Sequence, residues 1–349
     1  MEIDLIEGSQ FMLLPWKIKG IVLTAPLTHE LDDVVKFIDE YLAPRGFNML
    51  VLQVRYRYQF KTHPEVWGYD PLSYDDAKKL LAVCKKNNIK LVPKMNLIGH
   101  QSGFPNEPTD GIIHGHNDES SDIPDGLLRA YPSFDEQQGE KEVCYARSIC
   151  LSSRAAKIVV YELIDELMDA FEADSIHIGC DEAFNVGLCP KCSEKSKSEL
   201  IANWINGINE HVKKRNGTVL MWGDRLLSMN EAKYDPWESS DNGTDGALDT
   251  LSRDVIICDW HYNKYESYNS VDIFGKKGFK MMVSPWRDKE ALDAFLDYAI
   301  KHDNGHINGV LMTTWCGSGD LAKRLLYGEK GRWLHTEQIA KTIDEVFKI

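Results

Sequence analysis

The sequence predicts an α/β protein that folds as a closed (β/α)8 barrel, a TIM barrel, in one domain over residues 1–349. Short apolar segments alternate with amphipathic helical patterns eight times along the chain, and this alternation is typical of parallel sheets covered by helices. The chain has 349 residues, 43% of them hydrophobic, so it is long enough to bury the core of a whole barrel. An open, doubly wound sheet is the alternative.

The strands are predicted where aliphatic runs end in polar or aromatic residues. They are Lys19–Thr24, Asn48–Tyr56, Ile89–Leu97, Ser175–Glu182, Thr218–Asp224, Asp254–Asp259, Phe279–Ser284 and Gly309–Trp315. The helices are predicted from apolar residues that recur every three or four positions. They are Leu31–Tyr41, Tyr74–Lys86, Arg154–Phe171, Ser198–Lys214, Val271–Lys276, Lys289–Lys301 and Thr336–Phe347.

Two long polar stretches interrupt this regular spacing. One covers about 99–150 and the other about 225–253, and both follow predicted strands. In a barrel they lie at the carboxyl ends of the strands, where this fold assembles its active sites. We therefore expect both stretches to be loops that shape a substrate site within the single domain.

Charge and hydropathy exclude several classes of partner. The formal net charge is −14 and no block of Lys or Arg stands out, so neither a nucleic acid nor an anionic membrane surface is an expected partner. The sequence contains neither an apolar run long enough to span a membrane nor a basic segment followed by an apolar one at its start. The sequence as given predicts a cytoplasmic protein, with a secreted protein that has lost its signal as the alternative.

The segment Ser175–Glu182 runs from an apolar strand into two adjacent carboxylates. Strand alternation places His177 and Asp181 on one face, and Glu182 follows where the strand ends. Two carboxylates at such short range cannot ionise independently, so one can serve as an acid while the other stays a base. The alternative is that Asp181 caps the next helix and Glu182 faces solvent.

Aromatic and acidic residues recur at the ends of the last four predicted strands. Pyranose rings offer flat C–H faces and a rim of hydroxyls, which Trp and Asp side chains match by stacking and by hydrogen bonding. We therefore expect a sugar site. The candidate residues are Trp222, Asp224, Asp259, Trp260, Tyr262, Trp286, Asp288 and Trp315.

The run from His177 to Glu182, His-Ile-Gly-Cys-Asp-Glu, resembles the His-x-Gly-x-Asp-Glu signature of glycoside hydrolase family 20, the β-N-acetylhexosaminidases. Asn88–Pro93 and Gly99–His100 resemble the family's third-strand segment, and Ser284–Trp286 and Trp315 resemble its seventh- and eighth-strand segments. The chain is most similar to small, single-domain members. The resemblance implies a (β/α)8 barrel that removes terminal β-linked GlcNAc or GalNAc from an oligosaccharide or glycoconjugate.

The resemblance also implies substrate-assisted retaining hydrolysis, without a protein nucleophile and without a cofactor. Glu182 would protonate the leaving oxygen and then activate water. Asp181 would orient the 2-acetamido group of the substrate while the carbonyl oxygen of that group attacks C1, and His177 would support the site from beneath. A catalytically silent sugar-binding barrel is the alternative outside the enzymes.

Three positions depart from the family pattern. The family Arg on the first strand has no counterpart in Ile21–Pro26, the Glu expected after the eighth-strand Trp is Gly317, and the Tyr expected after Ser-Pro-Trp is Arg287. A glycosidase for a modified hexosamine, such as a sulfated sugar, is therefore an alternative. We expect Tyr262 to bind the acetamido oxygen. The residues expected to bind hydroxyls are Asp224, Asp259, Arg287 and Asp288.

The eight cysteines are scattered, which is typical of reduced thiols. Cys189 and Cys192 form a Cys-x-x-Cys motif just after the Asp-Glu pair, and Cys144 and Cys150 end the preceding long loop. Because neighbouring βα loops are adjacent in a barrel, the four thiolates are candidate ligands of one structural zinc. Free thiols are the alternative.

Overall fold

The computed structural model describes residues 14–102, 124–139 and 145–347. Within these residues, eight strands pair in parallel in chain order, and β1 pairs with β8 to close the barrel. The predicted (β/α)8 fold is thereby confirmed. The strands are β1 Ile18–Thr24, β2 Met49–Gln53, β3 Lys90–Lys94, β4 Ser175–His177, β5 Thr218–Trp222, β6 Ile256–Trp260, β7 Met281–Ser284 and β8 Ile307–Met312.

The helices that cover the barrel agree closely with the predicted segments. The helix predicted at Tyr74–Lys86 has these bounds in the structure, and Ser73 and Asp76 form a reciprocal capping box that fixes its start. The structure adds the helix Ser318–Tyr327, which the sequence analysis missed because Gly317 and Gly319 favour a loop. The helices are α1 Leu31–Phe37, α2 Tyr74–Lys86, α3 Gly126–Ala130, α4 Arg154–Ala170, α5 Lys197–Lys213, α6 Met229–Ala232, α7 Ala247–Thr250, α8 Asn269–Lys276, α9 Lys289–His302, α10 Ser318–Tyr327 and α11 Thr336–Val346.

Strand alternation divides the core into two clusters. One fills the space between the strands and the helices, and the other fills the barrel interior. Val22, Val51 and Val92 form part of the interior cluster, which continues to Trp222 and Trp260 at the carboxyl ends of β5 and β6. The interior therefore becomes aromatic at the end of the barrel where the two long loops begin.

Both predicted long segments follow strands, as expected. The segment after β3 contains α3, and the segment after β5 contains α6 and α7. The single domain over 1–349 stays a prediction, since residues 1–13 and 348–349 lie outside the described part. None of the helices described is long and apolar enough to cross a membrane.

Candidate active site

The chain turns sharply at the end of β4. The predicted strand Ser175–Glu182 was too long, because β4 ends at His177 and both Gly179 (φ 68°) and Cys180 (φ 74°) are left-handed. A Cβ at position 179 would lie 2.6 Å from Oδ1 of Asn96, so only glycine fits. The Gly179 carbonyl accepts a hydrogen bond from the Trp222 amide at 2.9 Å. The turn that presents the acidic pair is thus fixed between β3 and β5.

His100 lies between the two carboxylates that follow this turn. Its Nε2 is 3.1 Å from Oδ2 of Asp181 and 3.2 Å from Oε2 of Glu182. The three side chains are only 12%, 14% and 16% exposed. The Gly99–His100 pair is visible in the sequence, but its family resemblance alone does not place His100 in the site. Its signal was a histidine beside a glycine, in the loop after β3.

Opposite charges fix the ionisation of His100 and Asp181. Burial raises the pKa of Asp181, but His100 and the Lys94 ammonium lower it more, and the net result is well below the ordinary value. Burial lowers the pKa of His100, but the two carboxylates raise it to about 9. At neutral pH, Asp181 is therefore an anion and His100 a cation. Oδ1 of Asp181 is buried and has no hydrogen-bond partner among the residues described.

Lys94 is a second cation that the sequence analysis missed. It is buried at the end of β3, and its Nζ donates to Oε1 of Gln53 (3.0 Å) and to Oδ1 of Asn96 (2.6 Å). Burial lowers its pKa to about 8, against the opposing charge of Asp181. Nζ lies 5.7 Å from the ring centroids of both Trp222 and Trp315. Alternation from Val92, which faces the interior, was the signal that could have placed Lys94 there.

Asp224 lies beneath Glu182 and holds its backbone. Its Oδ2 accepts from the Glu182 amide and from Nε of Arg225, both at 2.8 Å, while Oδ1 accepts from Nε1 of Trp260 at 3.2 Å. Burial raises its pKa to about 6, although Arg225 opposes the shift. Both oxygens thus have protein partners, and these contacts position the acidic pair.

His177 is fully buried beneath the same turn. Its Nδ1 accepts from the Gly179 amide at 3.1 Å, and its ring centroid lies 4.4 Å from that of Trp222. Burial and the charge of Lys94 hold its pKa well below the ordinary value, so the imidazole is neutral. Its contacts support the backbone of the turn.

The ends of β5 to β8 bring the predicted aromatic residues into one cluster. Tyr262 is central, with its ring centroid 4.8 Å from that of Trp260 and 5.0 Å from that of Trp286. Its hydroxyl accepts from Nε1 of Trp315 at 2.6 Å, and burial raises its pKa, so it remains a phenol. The ring centroids of Trp222 and Trp315 lie 5.8 Å apart. Nε1 of Trp222 and Nε1 of Trp286 are buried and find no hydrogen-bond partner in the described ranges.

Of the remaining three predicted residues, only one lies in this aromatic cluster. The Arg287 guanidinium stacks on Trp286, with Cζ 3.5 Å from the ring centroid. Its Nη1 is buried without a hydrogen-bond partner among the described residues. Asp288 caps α9 by accepting from the Ala291 amide at 2.9 Å. Asp259 packs against α8 and accepts from Ser270 at 2.7 Å. Arg287 therefore joins the aromatic cluster, whereas Asp259 and Asp288 have structural contacts of their own.

Three of the predicted zinc ligands come together between the loops after β3 and β4. Cys150, Cys189 and Cys192 converge with Glu136, and a potential ligand atom from each lies within 4.8 Å of the other three. Cys144 lies outside the described residues. This cluster joins the loop after β3 to the loop after β4.

Comparisons with known proteins agree with this geometry. The family profile described as "Glycosyl hydrolase family 20, catalytic domain" matches residues 50–320. A search of curated proteins gave no match. Among solved structures, a β-N-acetylhexosaminidase from Bacteroides fragilis superposes with a TM-score of 0.64 at 15% identity, over 93% of this chain and 66% of that one.

Two further solved structures have the same fold. A chitobiase from Flavobacterium johnsoniae has a TM-score of 0.62 at 17% identity, over 95% of this chain and 52% of its own. An exo-β-N-acetylglucosaminidase from Vibrio harveyi, in complex with N-acetylglucosamine, has a TM-score of 0.61 at 13% identity. The match covers 95% of this chain and 58% of that one. The chain thus spans about half to two thirds of the length of these structures. Because the family profile covers most of the sequence, the chain belongs to glycoside hydrolase family 20.

Proposed function

We propose that this protein is a retaining exo-β-N-acetylhexosaminidase that removes terminal, non-reducing β-linked GlcNAc or GalNAc by substrate-assisted catalysis. The observation that carries the proposal is the cluster of His100, Asp181 and Glu182 at the mouth of a family 20 barrel, with Oδ1 of Asp181 buried and without a partner among the described residues. A buried anionic oxygen is costly unless a ligand donates to it. The N–H of a 2-acetamido group is such a donor.

In the proposed first step, Glu182 donates its proton to the glycosidic oxygen as the bond from C1 to that oxygen breaks. The carbonyl oxygen of the acetamido group attacks C1 from the opposite face, and an oxazolinium ion forms. Asp181 accepts from the acetamido N–H and stabilises the positive charge that develops on that nitrogen. No protein nucleophile is needed, which makes this one of the exceptions to the usual scheme of two carboxylates.

In the second step, the Glu182 carboxylate removes a proton from water, and the hydroxide equivalent attacks C1. The oxazolinium ring opens and regenerates the acetamido group, so the product retains the β configuration. The two roles of Glu182 follow from microscopic reversibility. The backbone contact to Asp224 and the contact to His100 support the position of Glu182 for both steps.

The aromatic cluster supports the sugar specificity of the proposal. Its ring faces suit the C–H face of a pyranose, and the indole N–H groups of Trp222 and Trp286 are donors without a partner in the described structure. Tyr262 accepts from Trp315 and also contacts the Thr313 hydroxyl, and we assign its own proton to the acetamido oxygen when the sugar is bound. The complex of the Vibrio harveyi relative with N-acetylglucosamine supports the same ligand class.

A second candidate is a hexosaminidase for a sulfated sugar. The observation that favours it is Arg287, a cation in the aromatic cluster with Nη1 buried and without a partner among the described residues. A guanidinium binds sulfate oxygens through paired N–H groups.

The test is release of 4-nitrophenol from four β-glycosides: GlcNAc, GalNAc, 6-sulfo-GlcNAc and glucose. We expect turnover of acetamido sugars only, together with inhibition by a thiazoline mimic of the oxazolinium ion at concentrations far below those of GlcNAc. A preference for the sulfated sugar of tenfold or more would favour the second candidate. Equal turnover of the glucoside would rule out the acetamido mechanism, and binding without turnover would identify a sugar-binding barrel.

A further inference from the structure

We propose that Glu136, Cys150, Cys189 and Cys192 form a structural site for one divalent cation, with zinc as the best match to its ligands. The site is independent of the proposed function, because it needs neither the acidic pair nor a sugar. It also differs from the set of four cysteines predicted from the sequence, since a carboxylate takes the fourth position.

The distances between the sulfur atoms fit tetrahedral coordination. Sγ of Cys150 lies 3.4 Å from Sγ of Cys189 and 3.6 Å from Sγ of Cys192, and all three cysteines are free thiols. A tetrahedral zinc with Zn–S bonds of about 2.3 Å places its sulfur ligands about 3.8 Å apart. Only a small outward shift of the sulfur atoms is needed to admit the ion.

Glu136 supplies the observation that points to a cation. The residue is only 2% exposed, and Oε1 accepts from the backbone amides of Leu188 (2.7 Å) and Cys189 (3.1 Å). Oε2 is buried and has no hydrogen-bond partner among the described residues. A buried carboxylate oxygen without a partner is costly, and a metal ion bound to it removes that cost. The two amide donors would orient the carboxylate, as groups behind metal ligands commonly do.

The location explains what such a site would do. Cys150 belongs to the loop after β3, and the Ile149 amide donates to the Ile98 carbonyl at 2.9 Å, two residues before His100. Cys189 and Cys192 belong to the loop after β4, which also carries the acidic pair. A closed site with four protein ligands has no open position for substrate, so its role is structural. The ion would tie together the two loops that hold His100 and Glu182.

The first experiment measures metal in the full chain, purified without chelator. We expect one zinc per chain by inductively coupled plasma mass spectrometry. After exchange, Co²⁺ should give the charge-transfer absorption of a thiolate-bound tetrahedral ion. The Cys84→Ser variant is the matched control, because Cys84 is a buried free thiol on α2. Zinc far below one per chain, together with no such absorption after Co²⁺ is added to the reduced protein, would overturn the proposal.

Variants then identify the ligands. We expect Cys189→Ser and Glu136→Gln to lower zinc affinity at least tenfold in chelator competition, whereas Cys144→Ser and Cys84→Ser leave it unchanged. Loss of zinc in Cys144→Ser with full retention in Glu136→Gln would reject Glu136 as the fourth ligand. If Cys189→Ser does not fold, chelator titration of the wild type supplies the readout. Thermal unfolding should then shift to lower temperature as zinc is removed. Metal content does not depend on glycoside turnover, so this test and that of the proposed function fail separately.

Discussion

The two halves of the barrel mouth differ in the groups that line them, since one half is charged and the other is aromatic. At the ends of β3 to β5, Lys94, Asp181 and Asp224 lie among opposite charges and hydrogen-bond partners from the protein itself. At the ends of β6 to β8, the mouth is lined by aromatic rings. There Trp286 and Arg287 each keep a buried N–H group without a partner in the described structure. Oδ1 of Asp181 in the charged half is likewise without a partner among the described residues. We infer that the charged half is preorganised for chemistry at the acetamido group, whereas the aromatic half binds the sugar ring.

The largest effect on activity is expected from a substitution in the charged half. We expect Glu182→Gln to lower kcat for β-GlcNAc oligosaccharides by about 10³-fold, within the usual contribution of a general acid and base. The loss should be smaller for 4-nitrophenyl glycosides, because their leaving group needs little protonation. Steady-state kinetics on both substrates measure the difference.

The matched control for that variant is Glu290→Gln, which removes an exposed carboxylate on α9. It should leave kcat within twofold of the wild type. Equal losses on both classes of substrate would contradict the assignment of Glu182 as the acid.

Asp181→Asn is expected to have the next largest effect, a loss of about 10²- to 10³-fold in kcat, similar to the removal of a group that stabilises charge in the transition state. The variant keeps the shape of the side chain but removes the anion beside the acetamido nitrogen. It should also weaken binding of the thiazoline inhibitor, measured by competition. Unchanged inhibitor affinity would indicate that Asp181 acts elsewhere.

The sequence predicted the barrel well because its information lies in alternation. Apolar segments and amphipathic helical patterns alternate eight times along the chain, whereas a single turn occurs once and leaves no repeating pattern. The end of β4 was mispredicted because Gly179 and Cys180 adopt left-handed backbone angles. The apolar pattern of the segment does not indicate these angles. The pairing of His100 with Glu182 joins residues 82 positions apart in the sequence, a contact that only the fold determines.

The aromatic half shows a different limit. Asp259 and Trp260 were both predicted from the sequence to lie at the sugar, although adjacent residues of a strand face opposite sides. In the structure Trp260 belongs to the barrel interior, and Asp259 packs against α8. Strict use of strand alternation would have placed Asp259 and Trp260 on opposite faces of the strand. The partner of Tyr262, Trp315, lies on another strand end, so their contact could not be read from local spacing.

The pH dependence of stability is the third prediction. His100 has its pKa raised to about 9, so its stabilising charge is fully present below its ordinary pKa of about 6.5 and is lost as pH rises through 9. We expect wild type to lose up to about 3 kcal/mol relative to His100→Asn between pH 7 and pH 10, since one pKa unit corresponds to about 1.4 kcal/mol. Thermal unfolding across that range measures the difference.

Comparison with the variant isolates His100 from its neighbours. Lys94 titrates near pH 8 in the same cluster, but it is present in both proteins. Parallel curves for the two proteins across the range would show that His100 carries no such charge.

The smallest expected effect tests the aromatic half. Tyr262→Phe removes one hydroxyl and keeps the ring that packs against Trp260 and Trp286. We expect kcat/KM for β-GlcNAc substrates to fall about tenfold, because the hydrogen bond that positions the attacking acetamido oxygen is worth about 1.5 kcal/mol. Trp286→Phe is the companion variant. It removes the indole N–H but keeps an aromatic ring, and it should act mainly on KM. If Tyr262→Phe left turnover unchanged while Trp286→Phe raised KM, the aromatic half would bind the sugar without taking part in the reaction, and the division between the two halves would be complete.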